Sequence, residues 1–355
     1  MTVKSHLLRL IPLFFLSGVL LSPGHVAAQA LVISGGTSTN ISSGTNSYTG
    51  VQVGNQDSGN SLTISSAAEV ISSSTNYISY GTGAGSDIYT NNAVLVTGSG
   101  SLLSNSSDLY VGSMNLTNSS ATSGTNSGNS LTVSNGGTVL DANGYVGFLY
   151  FTNSGSIRVS NNSVLVTGSG SLWSNSAGLY IGYYNSSGGG GAGPSDSSLT
   201  ISNGGTVIDS TGILCDSTNH VVPNSSVFVT GSGSLWSNSS TLLLSDCGSG
   251  KGTLTLANGG SVAATSLTLS TSAKNSSGTL NIGSPGGSDT AGVLLLGSST
   301  ITSSTTAVLQ TASSISTRAI PSFSPMPSPA KPSSTSSAAA RPSSPPATAS
   351  QVIPR

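Results

Sequence analysis

Short runs in which every second residue is apolar recur along most of the chain. Leu131 and Val133, Val164 and Val166, Leu199 and Ile201, and Leu254 and Leu256 each skip one position. A period of two predicts β-strands, and the Thr and Val that fill these runs suit a pleated backbone. Gly-Ser-Gly and Asn-Gly-Gly groups interrupt the runs every ten residues or so, and such groups make tight corners. Almost nowhere do apolar residues recur at helical spacing. The pattern predicts an all-β chain of many short strands.

The strands belong to an internal repeat. Residues 94–105 read VLVTGSGSLLSN, 164–175 read VLVTGSGSLWSN, and 227–238 read VFVTGSGSLWSN. A second phrase follows each: NSLTVSNGGTVLD at 129–141, SSLTISNGGTVID at 197–209 and GTLTLANGGSV at 252–262. Propeller blades need a regular period of about 40–50 residues. Here the phrases return after 70 and then 63 residues, with insertions between strands. A solenoid tolerates that drift, because each coil contacts only its neighbours. The expected fold is a right-handed parallel β-helix over residues 31–305, with about three coils per unit and a rise of roughly 14 Å per unit. Asn135 with Asn203, and Asn105 with Asn175 and Asn238, are expected as ladder or turn residues at matching corners.

Both ends differ from this middle. Lys4, His6 and Arg9 precede an apolar run from Leu10 to Leu21, and Ala28-Gln29-Ala30 supplies small residues. That is the plan of a signal peptide over residues 1–30 with cleavage after Ala30. The run is short of the roughly 20 residues that span a bilayer, so no transmembrane helix is expected in the mature chain. From residue 306 Gly is absent and Pro frequent, which predicts a disordered Pro/Ser/Ala-rich tail over 306–355.

Composition narrows the function. The 355 residues include 9 Lys and Arg and 10 Asp and Glu, for a net charge of -1. Only Arg158, Lys251 and Lys274 are basic between residues 31 and 305. Nucleic-acid binding needs clustered positive charge, so it is excluded as a function. Mean hydropathy is +0.14, too high for a chain disordered throughout.

The phrases VTGSGSLWSN and LTISNGGTV, with Gly278-Thr279-Leu280-Asn281-Ile282-Gly283, resemble the repeats of bacterial autotransporter passengers, in particular the autotransporter-associated β-strand repeat proteins. The resemblance covers about residues 31–300. It implies a parallel β-helix, export, and display or release at the cell surface. Such passengers normally precede an outer-membrane β-barrel. No series of ten-residue alternating strands of that kind closes this sequence.

Candidate chemistry is sparse, and no cofactor or metal is expected. Glycoside hydrolysis needs two carboxylates about 5–9.5 Å apart. Asp141 and Asp209 share a repeat position and are expected about 14 Å apart by coil spacing, too far to act together. Asp209 and Asp216 are placed to approach across a corner. His220 is the one histidine after residue 30 and is expected in a surface loop near Pro223. Trp173 and Trp236 match Leu103 in the first copy, which points to packing. Cys215 and Cys247 are a candidate disulfide if exported. The leading expectation is a secreted or surface-displayed, adhesin-like structural passenger, not an enzyme. Its expected partners are extracellular glycans or matrix, with end-to-end self-association through unpaired solenoid edges. The alternatives are a β-helix carbohydrate-active enzyme, lyase or hydrolase, and a carbohydrate- or ice-binding face of ranked Thr and Ser, with Thr63, Thr132, Thr200 and Thr255 as its row.

Overall fold

A computed structural model describes residues 28–311, except 83–85, 117–122, 152–155, 187–192, 218–219, 272–275, 284–288, 298–300 and 304–307. The body of the expected signal peptide (residues 1–27) and the expected tail from residue 312 lie outside the described residues. Leu31, one residue after Ala30, opens the first strand, and pairing continues to Val308–Thr311, beyond residue 305.

The described chain is a parallel β-helix. Its strands stack in three long parallel sheets of 10, 10 and 9 strands, here faces 1, 2 and 3. One rung visits the three faces in turn. The fourth rung runs Leu109–Leu116 on face 1, Ser130–Ser134 on face 2 and Thr138–Asp141 on face 3. Gly144 then opens the fifth, pairing with Leu109. In rungs 3 to 5 an extra strand between faces 1 and 2 forms a small sheet: Ser86–Thr90, Ser123–Ser127 and Ser156–Ser160. Inward Val, Leu and Ile from all three faces fill one continuous core.

The pairing corrects the expected coil count. Val94 pairs with Leu131, and Leu131 with Val164. The two phrases therefore occupy the same corner of successive rungs. Each 63–70-residue unit is two coils, not three, and rises about 10 Å.

Side-chain hydrogen bonds explain why the repeat spans two coils. The corner between faces 2 and 3 alternates two turn types. Asn135 and Asn203 sit at positive φ (52° and 53°), and their Nδ2 groups donate back one rung to Thr97 and Thr167 Oγ1, 3.1 Å each. The next rung's Gly-Ser-Gly-Ser turn supplies the complement: Ser171 Oγ accepts from the Gly136 amide and Ser234 Oγ from the Gly204 amide, 3.0 Å each. Each turn thus bonds to an unlike turn above and below it.

The layers inside alternate as well. Rungs 5 and 7 carry Trp173 and Trp236 on face 3, both fully buried. In the same rungs face 1 opens with Gly144 and Gly212. A Cβ there would lie 2.5 Å from the Trp173 and Trp236 rings respectively and 2.4 Å from Asn175 and Asn238 Oδ1. Rungs 4 and 6 reverse this, with Val139 and Val207 on face 3 and Leu109 and Leu179 on face 1. Large against small in one rung sits on medium against medium in the next, which keeps the core filled.

Of the two roles expected for the corner asparagines, Asn105, Asn135 and Asn203 take that of turn residue, and a continuous amide ladder is made by other asparagines. Asn60, Asn92, Asn129 and Asn162 immediately precede the face 2 strands of rungs 2 to 5, and all four are fully buried. Asn60 Nδ2 donates to Asn92 Oδ1 (2.9 Å), Asn92 to Asn129 (3.1 Å) and Asn129 to Asn162 (2.9 Å). Each acceptor oxygen also takes a backbone amide of the rung before it. Asn135 and Asn203 are turn residues, and the Asn175 and Asn238 amides find no partner among the described residues.

Gly144→Ala should therefore cost about 1–3 kcal/mol by overpacking, read as a lower urea midpoint. Adding Trp173→Leu should recover part of that loss by clearing the ring from the new methyl.

Candidate functional site

Face 1 carries the most distinctive outer surface. Tyr77, Tyr110, Tyr145 and Tyr180 occupy one column of rungs 3 to 6. Their rings stack with centroids 5.2, 4.6 and 4.8 Å apart and interplanar angles of 15°, 6° and 9°. Beside them Phe148 and Tyr183 stack at 5.3 Å and meet the first column edge-on. All six rings are half-buried. Strand spacing sets the ring spacing, so the column is an offset-stacked ladder. Ring faces inside it cover one another, and ring edges and hydroxyls are left to contact anything outside.

Carboxylates flank this strip. Tyr110 Oη donates to Asp108 Oδ2 at 3.4 Å, and Asn143 Nδ2 donates to Asp108 Oδ1 at 2.9 Å. Burial first, then the Asp108 charge, pushes the Tyr110 and Tyr145 phenols well above their ordinary value. In the second aromatic column Tyr183 pairs with Asp216, and Asp216 bridges to Asp246 one rung on. That spacing is about 4.8 Å between backbones. Burial, and then the Asp246 charge, pushes Asp216 up to about 6. The Thr271 hydroxyl donates to Asp246 Oδ1.

The expected acids fall elsewhere. Asp141 and Asp209 point into the core, where Trp173 Nε1 donates to Asp141 Oδ2 (2.7 Å) and Trp236 Nε1 to Asp209 Oδ2 (2.6 Å). The second oxygen of each has no partner among the described residues. They lie two rungs apart, about 10 Å by strand spacing and not the expected 14 Å. They serve the tryptophans: where Leu103 stands in place of Trp, the preceding rung has Ser72 in place of Asp. Burial outweighs the indole hydrogen bond and raises both carboxyls, Asp209 to about 8. Asp209 faces the interior and Asp216 the exterior, so these two do not meet. The Asp87 side chain lies outside the described residues. His220 lies, as expected, in the connection between Thr211–Ser217 and Val221–Thr230, but its ring is not free. Its ring packs against buried Tyr184 at 4.8 Å, and its Nδ1 is buried. Thr63, Thr132, Thr200 and Thr255 do share an outer column of face 2, but Leu95, Leu165 and Phe228 separate them. The Thr row is therefore spaced at two rungs.

The long repeated phrases do not contain the tyrosine column. Its signal is short: Asn76-Tyr77-Ile78, Leu109-Tyr110-Val111, Gly144-Tyr145-Val146 and Leu179-Tyr180-Ile181 recur every 33–35 residues, which is the length of one coil in rungs 3 to 6. No family model, curated protein or solved structure matches the chain. Among the described residues no helix is long and apolar enough to cross a membrane, and no group of three or more His, Cys, Asp or Glu gathers as a metal site.

The raised Asp209 makes stability fall with pH. Its native value near 8 lies above the unfolded value of 3.8, so the native state holds its proton more tightly. The stabilisation is full below about pH 4 and is lost as pH rises towards 8. Asp209→Asn keeps an oxygen for Trp236 Nε1 and removes the charge. Its melting curve should be higher than wild type at pH 8, and its loss of Tm between pH 4 and 8 smaller.

Proposed function

We propose that the protein is an exported, adhesin-like structural solenoid that contacts extended extracellular polymers, glycan or matrix, along face 1. The tyrosine column supports this reading: it presents equivalent aromatic edges and phenols on four consecutive rungs with carboxylates on its flank. A repeating surface favours a repeating ligand, because each rung adds the same weak contact. Polar edges beside half-buried rings suit hydrogen bonding to hydroxyl-rich chains. The buried amides from Asn60 to Asn162 are occupied in joining rungs, which suits a scaffold. The full chain should bind a subset of an array of glycans and matrix proteins. Tyr145→Phe, which keeps the stack, should weaken that binding about 3- to 10-fold with Tm unchanged. Absence of binding across the array would overturn the reading.

One observation favours a second reading, a retaining glycosidase-type enzyme. Asp216 and Asp246 pair on adjacent rungs with backbones about 4.8 Å apart, which allows the close carboxyl pair that a retaining mechanism uses, and Asp216 is raised as a general acid requires. Release of reducing ends from a polysaccharide by the full chain, abolished in Asp216→Asn, is the result expected from it. Release that survives Asp216→Asn would count against it.

A further inference from the structure

The long face 1 strands share a device that creates a second core. Gly112, Gly147 and Gly182 stand at the same point of rungs 4, 5 and 6, each at positive φ (75°, 71° and 77°). A Cβ at each would meet the Asn162, Ser197 or Ser225 side chain at 2.1–2.2 Å. Beyond this kink the strands line a separate apolar cluster containing Met114, Leu116, Leu149 and Tyr184. In rung 7 the column continues with Cys215, also at positive φ (51°). A residue with a Cβ is costly in that conformation, and such strain collects at functional positions.

Cys247 reaches the same place from rung 8. Asp216 bridges to Asp246, and the Asp246 amide donates to the Cys215 carbonyl at 3.0 Å. Both cysteines are buried in the second cluster, at its C-terminal end. On rung 8, just before Cys247, the face 1 strand is only Thr241–Leu243. The separation of 32 positions, ambiguous in the sequence, is one 30-residue coil plus the two residues by which the thiols are offset along the strand.

We propose that Cys215 and Cys247 are an oxidative modification site, a dithiol that forms a disulfide tying rung 7 to rung 8 and closing the open end of the second core. The export reading supplies the oxidising compartment for it. The two free thiols lie in one buried cluster, and their interaction keeps Cys215 protonated and lowers Cys247 to about 7. Cys247 is therefore the leading nucleophile. With glutathione disulfide as oxidant, the Cys247 thiolate attacks one sulfur and expels glutathione thiolate. Cys215 then loses its proton and attacks Cys247 Sγ, expelling the second glutathione. Two thiols become one disulfide, and one glutathione disulfide becomes two glutathiones.

The test uses the purified full chain, reduced and then equilibrated with glutathione disulfide. Mass spectrometry should show loss of two hydrogens and a cross-linked peptide pair containing Cys215 and Cys247. The oxidised chain should melt about 5–10 °C above the reduced one, and Cys215→Ser should show no such difference. Two thiols that both alkylate on unfolding after this treatment would overturn the proposal, as would stable glutathione adducts on the separate cysteines. Cell fractionation tests export independently. A chain that oxidises in vitro yet stays in the cytoplasm supports the dithiol site and overturns the export reading.

Discussion

In a parallel stack every side chain lies directly over its counterpart one rung below, about 4.8 Å away. All other features of this molecule answer to that constraint. Equivalent residues are forced into contact, so each column must hold groups that tolerate or favour their own neighbours. Identical amides do, because each offers one donor and one acceptor along the axis, and Asn60 to Asn162 form such a ladder. Tyrosines do, because offset rings at that spacing attract. Indoles do not fit on consecutive rungs of a narrow core, and Trp173 and Trp236 are separated by a rung carrying Val207.

That exclusion accounts for the two-rung repeat. A large residue on face 3 requires a glycine on face 1 of the same rung, and its indole N–H requires an acceptor from the rung before. Asp141 and Asp209 meet that need at the expense of desolvation, which raises their pKa values. The unlike turns at the corner between faces 2 and 3 reinforce the alternation, since each bonds only to the other kind. Packing, hydrogen bonding and turn type therefore share one period.

The kink in face 1 separates structure from surface. Left-handed residues let the strand leave the main core and line a second one, while the outer residues before and after the kink remain on the exterior. That is how Tyr145 and Phe148, three positions apart, come to face the same side despite the alternation of a regular strand. The aromatic strip thus depends on the same glycines that open the second core.

The amino-acid sequence by itself determined the class of fold. Apolar residues two apart, glycine-rich corners and repeated phrases specify stacked parallel strands, and Leu103 in the Trp slot marks that position as packing. The number of coils per unit was not legible in the long phrases, because VTGSGSL and LTISNGG look unlike yet occupy the same corner. Only pairing across rungs shows them to be alternate solutions to one geometric problem. Tertiary structure also decided which acids meet. Asp141 and Asp209 share a sequence position but end up inside, each held by an indole, while Asp216 and Asp246 share no phrase and become neighbours. A repeat records which residues are equivalent. Which of them touch depends on where the coil closes, and that closure is set by insertions and left-handed residues whose effect appears only when the rungs are stacked.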